Sequence, residues 1–420
     1  MDEFPAMTLP LEPLSAAGRA ACAAVDDLGP FLADQARAND LDGTFARASI
    51  ERLTDGGILA APVGAADGGM GLDSLHDLGV LVARIARYDA SAALAVHMHL
   101  VLAWYFARSV RHNSDNEAGG APHREWLRAI GKREMIVCSA VAEGGSAAWA
   151  PRSAAARSNG AWQVTGRKIL ASISPIATHF YTRVQTNDQG QYGTAMIPRT
   201  ADGVQILDNW NGLGLRGSGS GEVIFRDAKV TADALFIRGT WGQRDWSSLE
   251  GRVAALAPLL GVTIGIAEAA RALAVASYVA AQSSATAAPQ SAYAISSMAE
   301  IEVAMTSARS SLRCAWQHVD GILAKAPPRS LSADASRSLM AACTTSGMVV
   351  ERAATDVVDT AMQLVGARTY HAHHDLARLC RDVRAVFFMR PFFPTDGWCD
   401  FVASVATGTM TDTPSGLRAI

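Results

Sequence analysis

The residues best suited to chemistry in this chain lie in four polar, glycine-rich stretches and one histidine pair. The stretches run from Gly57 to Gly71, from Ala140 to Ser146, from Gly166 to Ala177 and from Gly212 to Gly221. Three of them adjoin strand-like runs, where glycine and serine let backbone amides and small hydroxyls approach a ligand closely. His97 and His99 fall in an alanine- and leucine-rich segment that reads as a helix. Two residues apart on a helix, they point to different sides, so at most one faces a given pocket. His371, His373 and His374 lack the i, i+4 spacing or carboxylate company that a metal site favours, so a solvated loop is expected there and no metal. The six cysteines contain no C-x-x-C pair and read as core thiols.

These residues must be positioned by three blocks of different texture. Up to about residue 133 apolar residues recur three and four apart, as in Leu75 to Arg87, which is an amphipathic helix pattern. Residues 134–237 shorten to strand-length runs, Met135–Ser139, Trp162–Thr165, Phe180–Val184, Gly193–Ile197 and Glu222–Arg226. From 238 to 420 helical periodicity returns, with helices predicted over 249–282, 291–325, 332–365 and 374–389. Helices segregated from a sheet define an α+β fold with an N-terminal helical domain (1–133), a middle β domain (134–237) and a C-terminal helical bundle (238–420). Gly212-Leu-Gly-Leu-Arg-Gly217 has the spacing of a dinucleotide fingerprint but precedes a strand instead of opening a helix, so a doubly wound nucleotide fold is disfavoured.

Composition narrows the partners. With 37 Lys+Arg against 40 Asp+Glu the chain has a net charge of -3 and no basic footprint for nucleic acid. The acidic start, Met1-Asp2-Glu3-Phe4-Pro5, and the lack of an uninterrupted apolar run of about 18 residues lead to the expectation of a cytoplasmic protein without a membrane partner.

The order and spacing of the four stretches resemble the acyl-CoA dehydrogenase superfamily over nearly the whole chain. Gly166 to Ala177, with Phe180 beyond, is similar to the family's "G-x-K-x-W-I-T-N-G-P-I-A-D-x-F" flavin loop, with Leu170, Ala171 and Ser172 at the Trp, Ile and Thr positions. Gly212 to Ser220 resembles "M-G-L-R-x-S-x-S", which matches Arg216 and Ser218, and Gln363 to Arg368 with Leu379 to Arg384 resembles "Q-L-x-G-G … R-x-x-R-D-A-R". The resemblance implies a flavin between the β domain and the C-terminal bundle, reached by Ala140, Val141, Ala142, Ser146 and the loop Leu170, Ala171, Ser172. It also implies that Ser172 serves the N5 region, and that Gln363, Gly366 and Ala367 complete a neighbour's site in a homotetramer.

Two features depart from the dehydrogenase pattern. The family's base is a Glu about nine residues after "R-D", a position that Arg390 occupies here, and arginine does not deprotonate in proteins. Members with the base on the first C-terminal helix place it about ten residues before a glycine matched by Gly265, which gives Ala255, with Glu250 out of register. The loops that clamp the ADP half of FAD are replaced by residues 282–288 and by Pro391–Pro394. Both losses resemble the superfamily's oxygenase branch of dibenzothiophene monooxygenases, hydroxylases and amino-sugar nitrososynthases. Such a member is expected to take reduced flavin, FAD or alternatively FMN, from a flavin reductase, to form a C4a-hydroperoxyflavin with O2 and to oxygenate a small molecule. His97, His99, Ser172 and Arg390 are the expected catalytic residues, a histidine or Arg390 stabilising negative charge on the departing oxygen. An FAD-dependent acyl-CoA dehydrogenase or oxidase with a displaced base, and a catalytically inactive flavin-binding subunit, stand as alternatives. Aromatic, thioester, sugar-amine and sulfur substrates all fit the sequence.

Overall fold

The computed structural model describes residues 10–112, 120–146, 149–186, 190–243, 249–283, 291–388 and 395–409. Five helices come first: α1 (Ala16–Asp42), α2 (Arg47–Asp55), α3 (Leu75–Tyr88), α4 (Ala90–Arg111) and α5 (Gly120–Gly131). Ser15 caps α1 by accepting from the Gly18 amide, and Gly43 ends it in the left-handed region at φ 66°. Asp89 ends α3 and starts α4, its carboxylate accepting from the Ala92 amide at 2.9 Å.

A sheet follows, from β1 (Val137–Ser139), β2 (Ala154–Ser158), β3 (Ala161–Lys168), β4 (His179–Thr186), β5 (Gln191–Pro198), β6 (Val204–Ile206) and β7 (Val223–Val230) to β8 (Leu235–Thr240). Its order is β6-β7-β3-β2-β4-β5-β8, and β1 lies parallel on β4. All five predicted strand runs are present; β2 escaped the pattern because Ala-Ala-Ala-Arg-Ser contains no β-branched or aromatic residue, and β8 carries the sheet three residues past 237.

The C-terminal block holds α6 (Leu249–Gln282), α7 (Ala292–Leu323), α8 (Ala333–Val365), α9 (Asp375–Val383) and α10 (Thr395–Thr407). Three of them match the predicted helices within two residues; the fourth, expected over 374–389, gives way after Val383 to a 3-10 turn. Helix α6 seats tightly on α3, because a Cβ at Gly261 or Gly265 would come within 2.5 or 2.4 Å of the carbonyl oxygens of Gly79 and Ala83. Such closeness lets α6 reach back and share a core with α4. Helices α4 and α6 are apolar enough to cross a membrane by length and composition, and both lie mostly buried in this core.

Candidate functional site

Where α4 and α6 meet the faces of β4, β5 and β8, the fold encloses a cavity of about 170 Å³. Helix α4 contributes His97, Val101 and Tyr105, the sheet contributes Tyr181, Arg183, Thr194 and Arg238, and α6 contributes Glu250, Arg252 and Ala255. Arg329, in the turn between α7 and α8, closes one side, and Ser139 and Val141 at the end of β1 close another.

The two α4 histidines part as their spacing predicts. His97 lines the cavity; its Nε2–H donates to the Ala255 carbonyl at 3.0 Å, and its buried Nδ1 has no partner among the described residues. His99 corrects the expectation that it is catalytic, since it does not line the cavity and both of its nitrogens are engaged. Its Nε2–H donates to the Leu59 carbonyl at 3.1 Å and its Nδ1 accepts from the Val137 amide at 3.0 Å, which ties α4 to the first glycine stretch and to β1. Burial pushes both imidazoles down to about 4, so His97 is neutral near pH 7 and carries no positive charge for a departing oxygen.

Positive charge comes from arginine instead. Four guanidinium groups, of Arg183, Arg238, Arg252 and Arg329, line the cavity against one carboxylate, Glu250. That carboxylate is held by Arg108 and by the Arg329 amide at 2.7 Å, so it is a pinned counterion, ill placed to act as the displaced base of a dehydrogenase. Arg238 donates to Thr194 Oγ1 at 3.0 Å, to the Tyr181 hydroxyl at 3.3 Å and to the Tyr105 hydroxyl at 3.5 Å. Burial works to raise the Tyr181 phenol, but Arg238, the Thr194 hydrogen bond and Arg183 outweigh it and bring the group below its ordinary range. Arg252 lies over the Trp149 ring at 4.7 Å, a cation–π contact that orients its guanidinium.

Beside the cavity the flavin-type loops meet in a serine junction. Leu170 and Ile173 adopt left-handed φ values of 52° and 68°, and Leu215 in the facing loop has φ 49°. A β-branched residue in that region is strained, and the strain is held by the hydrogen bonds Ala171 N–H to Gly221 O (3.0 Å) and Ile173 N–H to Ser218 O (3.1 Å). The product is a fixed Ser172, 3% exposed, whose hydroxyl meets Ser220 Oγ at 2.7 Å, while Ser220 meets Ser218 Oγ at 2.7 Å. Cys138 of β1 donates to the Ser172 carbonyl at 3.2 Å, which joins the junction to the strand that borders the cavity. Below the loop, Lys168 binds Glu143 and the Arg183 carbonyl (2.7 Å); burial pushes its ammonium down to about 8 against the pull of Glu143.

This donor set fits a flavin. The Ala140 amide is engaged with the Tyr181 carbonyl at 2.9 Å and the Ala142 carbonyl with the Ile169 amide at 3.0 Å, whereas the Val141 and Ala142 amides have no partner among the described residues. Two such donors beside a buried hydroxyl match the polar edge of an isoalloxazine, and the apolar wall of α4 and α6 matches its ring. Ala171 is buried, Leu170 is exposed at the loop tip, and Ser146 sits in the half-buried loop after Glu143. The Arg216 guanidinium lies against the Gly43 turn between α1 and α2. Gln363 is exposed and receives the Tyr293 hydroxyl at 3.1 Å, and Gly366 and Ala367 follow at the end of α8, none of them at the cavity. Arg390 lies outside the described residues. Tyr105, Tyr181, Thr194, Arg238, Arg252 and Arg329 escaped the sequence reading because they stand on separate elements with no motif around them; the overlooked signal was the large polar side chains Tyr181, Arg183 and Arg238 on β4 and β8.

Comparison with known proteins places this architecture. The N-terminal, middle and C-terminal domain patterns of acyl-CoA dehydrogenases match residues 28–110, 138–228 and 259–389. The amino sugar nitrososynthase DnmZ of Streptomyces peucetius is 32% identical over 403 residues, 94% of this chain and 95% of that protein. The L-evernosamine nitrososynthase of a Micromonospora species is 34% identical over 410 residues, 95% of this chain and 93% of that protein. The structure of KijD3 in complex with FMN and dTDP-3-amino-2,3,6-trideoxy-4-keto-3-methyl-D-glucose superposes with a TM-score of 0.88 at 30% identity, covering 96% of each chain. This chain belongs to the acyl-CoA dehydrogenase family. Within that family it is a flavin-dependent oxidoreductase of the monooxygenase kind, acting on a small molecule, and not a dehydrogenase.

Proposed function

We propose that this chain oxygenates the nitrogen of an amino sugar carried on a nucleoside diphosphate, with FMN delivered in reduced form by a separate flavin reductase. The observation that carries the reading is the convergence of four guanidinium groups, of Arg183, Arg238, Arg252 and Arg329, on one cavity bordered by β1. A cationic wall of this kind recruits a diphosphate, and one built largely of arginine favours phosphate geometry. The three relatives compared act on or bind amino sugars, which agrees with it. FMN is favoured over FAD because the ADP-clamping loops are replaced and because the KijD3 complex holds FMN.

When bound, reduced flavin supplies activated oxygen from O2. The protein's own residues bind, orient and manage protons. Ser172 and the Val141 and Ala142 amides hold the polar edge of the ring. His97, neutral and fixed through Ala255, offers the Nδ1 lone pair to an N–H of the substrate, which orients the amine and keeps its nitrogen nucleophilic. Arg238, held by two phenols and Thr194, fixes the anionic end of the substrate, and the apolar walls exclude water. A homotetramer in the cytoplasm is part of the proposal: Val279, Tyr293, Ile295 and Val303 leave an apolar strip half or more exposed on α6 and α7, and Gln363 and Ala367 are exposed for a neighbour's use.

The test combines the protein with FMN, a flavin reductase and its nicotinamide, O2 and a dTDP-linked amino sugar. The expected product carries new oxygen on nitrogen and forms only when the reductase is present. Acyl-CoA-dependent bleaching of bound oxidised flavin would overturn the proposal, and a monodisperse monomer by light scattering would remove its tetramer.

A further inference from the structure

The two loops that flank the flavin-type edge are rooted on one buried ion pair. Lys168 ends β3 just before the turn that carries Ser172, and Glu143 follows the Val141 and Ala142 amides in the loop after β1. Their side chains are 0% and 4% exposed. The Lys168 ammonium donates to the Glu143 carboxylate and to the Arg183 carbonyl at 2.7 Å. The same carboxylate accepts from the Ser153 amide at 2.9 Å, from the Arg152 amide at 2.6 Å and from the Ser153 hydroxyl. Burial works to raise the Glu143 carboxyl, but Lys168 and these hydrogen bonds outweigh it and hold the group below its ordinary range, so it is ionised near pH 7 and can only accept.

A buried ion pair is a poor source of stability, because the cost of desolvating both charges offsets most of their attraction. What this pair fixes is geometry. The Ala140 amide is tied to the Tyr181 carbonyl at 2.9 Å, the Ala142 carbonyl to the Ile169 amide at 3.0 Å, and the Glu143 side chain to four donors; between these ties the Val141 and Ala142 amides stay open. Lys168 stands four residues before Ser172 and Glu143 one residue after Ala142, so the pair joins the roots of both donor-bearing loops. We infer that Glu143 and Lys168 form a positioning clamp, which holds the Val141 and Ala142 amides at a set spacing from Ser172 so that the three donors meet the polar edge of one flavin ring together. The inference rests on the reading that this edge binds flavin. Both residues act through the backbone they anchor. The carbonyl acceptors along that edge are present in oxidised and reduced flavin alike, so the clamp serves the reduced cofactor of the proposed function.

Anaerobic titration with reduced FMN, together with the visible spectrum of oxidised FMN bound at saturation, separates positioning from folding. Glu143→Gln combined with Lys168→Met removes both charges at nearly constant volume, so no uncompensated charge is left buried. The folded double variant is expected to bind reduced FMN roughly tenfold more weakly, the range for two weakened neutral hydrogen bonds. Its bound oxidised FMN should absorb closer to the free cofactor, because the donors that perturb the ring edge have moved. Wild-type affinity in the folded double variant, or a weakened affinity with the wild-type band, overturns the clamp and leaves the pair a structural one. If the double variant does not fold, Ser153→Ala, which takes a single hydroxyl donor from Glu143, carries the test. A loss of roughly twofold to threefold with the same movement of the band is then expected, and unchanged affinity overturns the inference. Failure of the wild-type protein to bind FMN in either redox state overturns the flavin reading instead, and the clamp with it.

Discussion

The core-facing and cavity-facing sides of α4 carry the same residue types to different ends. His99 and His97 are equally buried and equally depressed in basicity, yet both nitrogens of His99 are engaged while His97 keeps an unpartnered Nδ1 at the cavity. Arginine divides the same way. Arg108 on the core side binds Glu250 and the carbonyls of Leu323 and Ala326, whereas Arg238 across the cavity donates to the hydroxyls of Thr194, Tyr181 and Tyr105. Burial and perturbed basicity do not distinguish a working group from a structural one here. The remaining hydrogen-bonding capacity does.

The largest effect that would sharpen this contrast is on the core side. Arg108→Met strands the buried Glu250 carboxylate without its main partner, and breaking a buried pair costs about 3–5 kcal/mol. Chemical denaturation should show that loss, and an unchanged midpoint would deny Glu250 its role as a pinned counterion. The histidines come next. His99→Ala leaves the Val137 amide and the Leu59 carbonyl unpaired and is expected to cost about 2 kcal/mol of stability, whereas His97→Ala stays within about 1 kcal/mol but lowers kcat on the order of a hundredfold. Their titration has a definite sign. Each folded-state value, about 4, lies below the ordinary 6.5, so the unfolded chain takes up protons first; the stability due to neutral burial is complete above about pH 6.5 and is lost as pH falls toward 4. His99→Phe should blunt that acid limb; a limb of unchanged steepness would mean that other groups dominate it.

On the cavity side, Arg238→Ala is expected to raise KM for the nucleotide-linked substrate roughly thirtyfold, the range of one charge-assisted bond, while FMN affinity stays constant. An equal change in flavin binding would show that cavity and serine junction are one site instead of two adjoining ones. The smallest effect is at the junction: Ser172→Ala should weaken flavin binding by about 1 kcal/mol, read by fluorescence titration, and unchanged affinity would remove Ser172 from the ring edge.

Much of the fold was legible because it depends on local periodicity. Helices α6, α7 and α8 are long amphipathic or fully apolar runs with serine caps on two of them, and their ends follow from the sequence. Strand β2, made of alanines, had no local signal and forms because β3 and β4 bracket it. Ser172 and Ser218 were visible inside motifs, and so was the absence of a carboxylate at Ala255. What these serines do to each other was not visible, since Ser172 and Ser220 are 48 residues apart and meet only when two loops pack.

The sequence by itself thus determined the three-block architecture, the glycine- and serine-rich loops and the loss of the dehydrogenase base, because each is written in contiguous residues whose spacing acts locally. Only the tertiary structure decided which histidine faces the cavity, that Glu250 is tied to Arg108 142 residues away, and that four arginines from β4, β8, α6 and the turn before α8 converge on one space. Convergence of that kind arises from how α4 and α6 pack on the sheet, and packing is a property of surfaces brought together from distant parts of the chain.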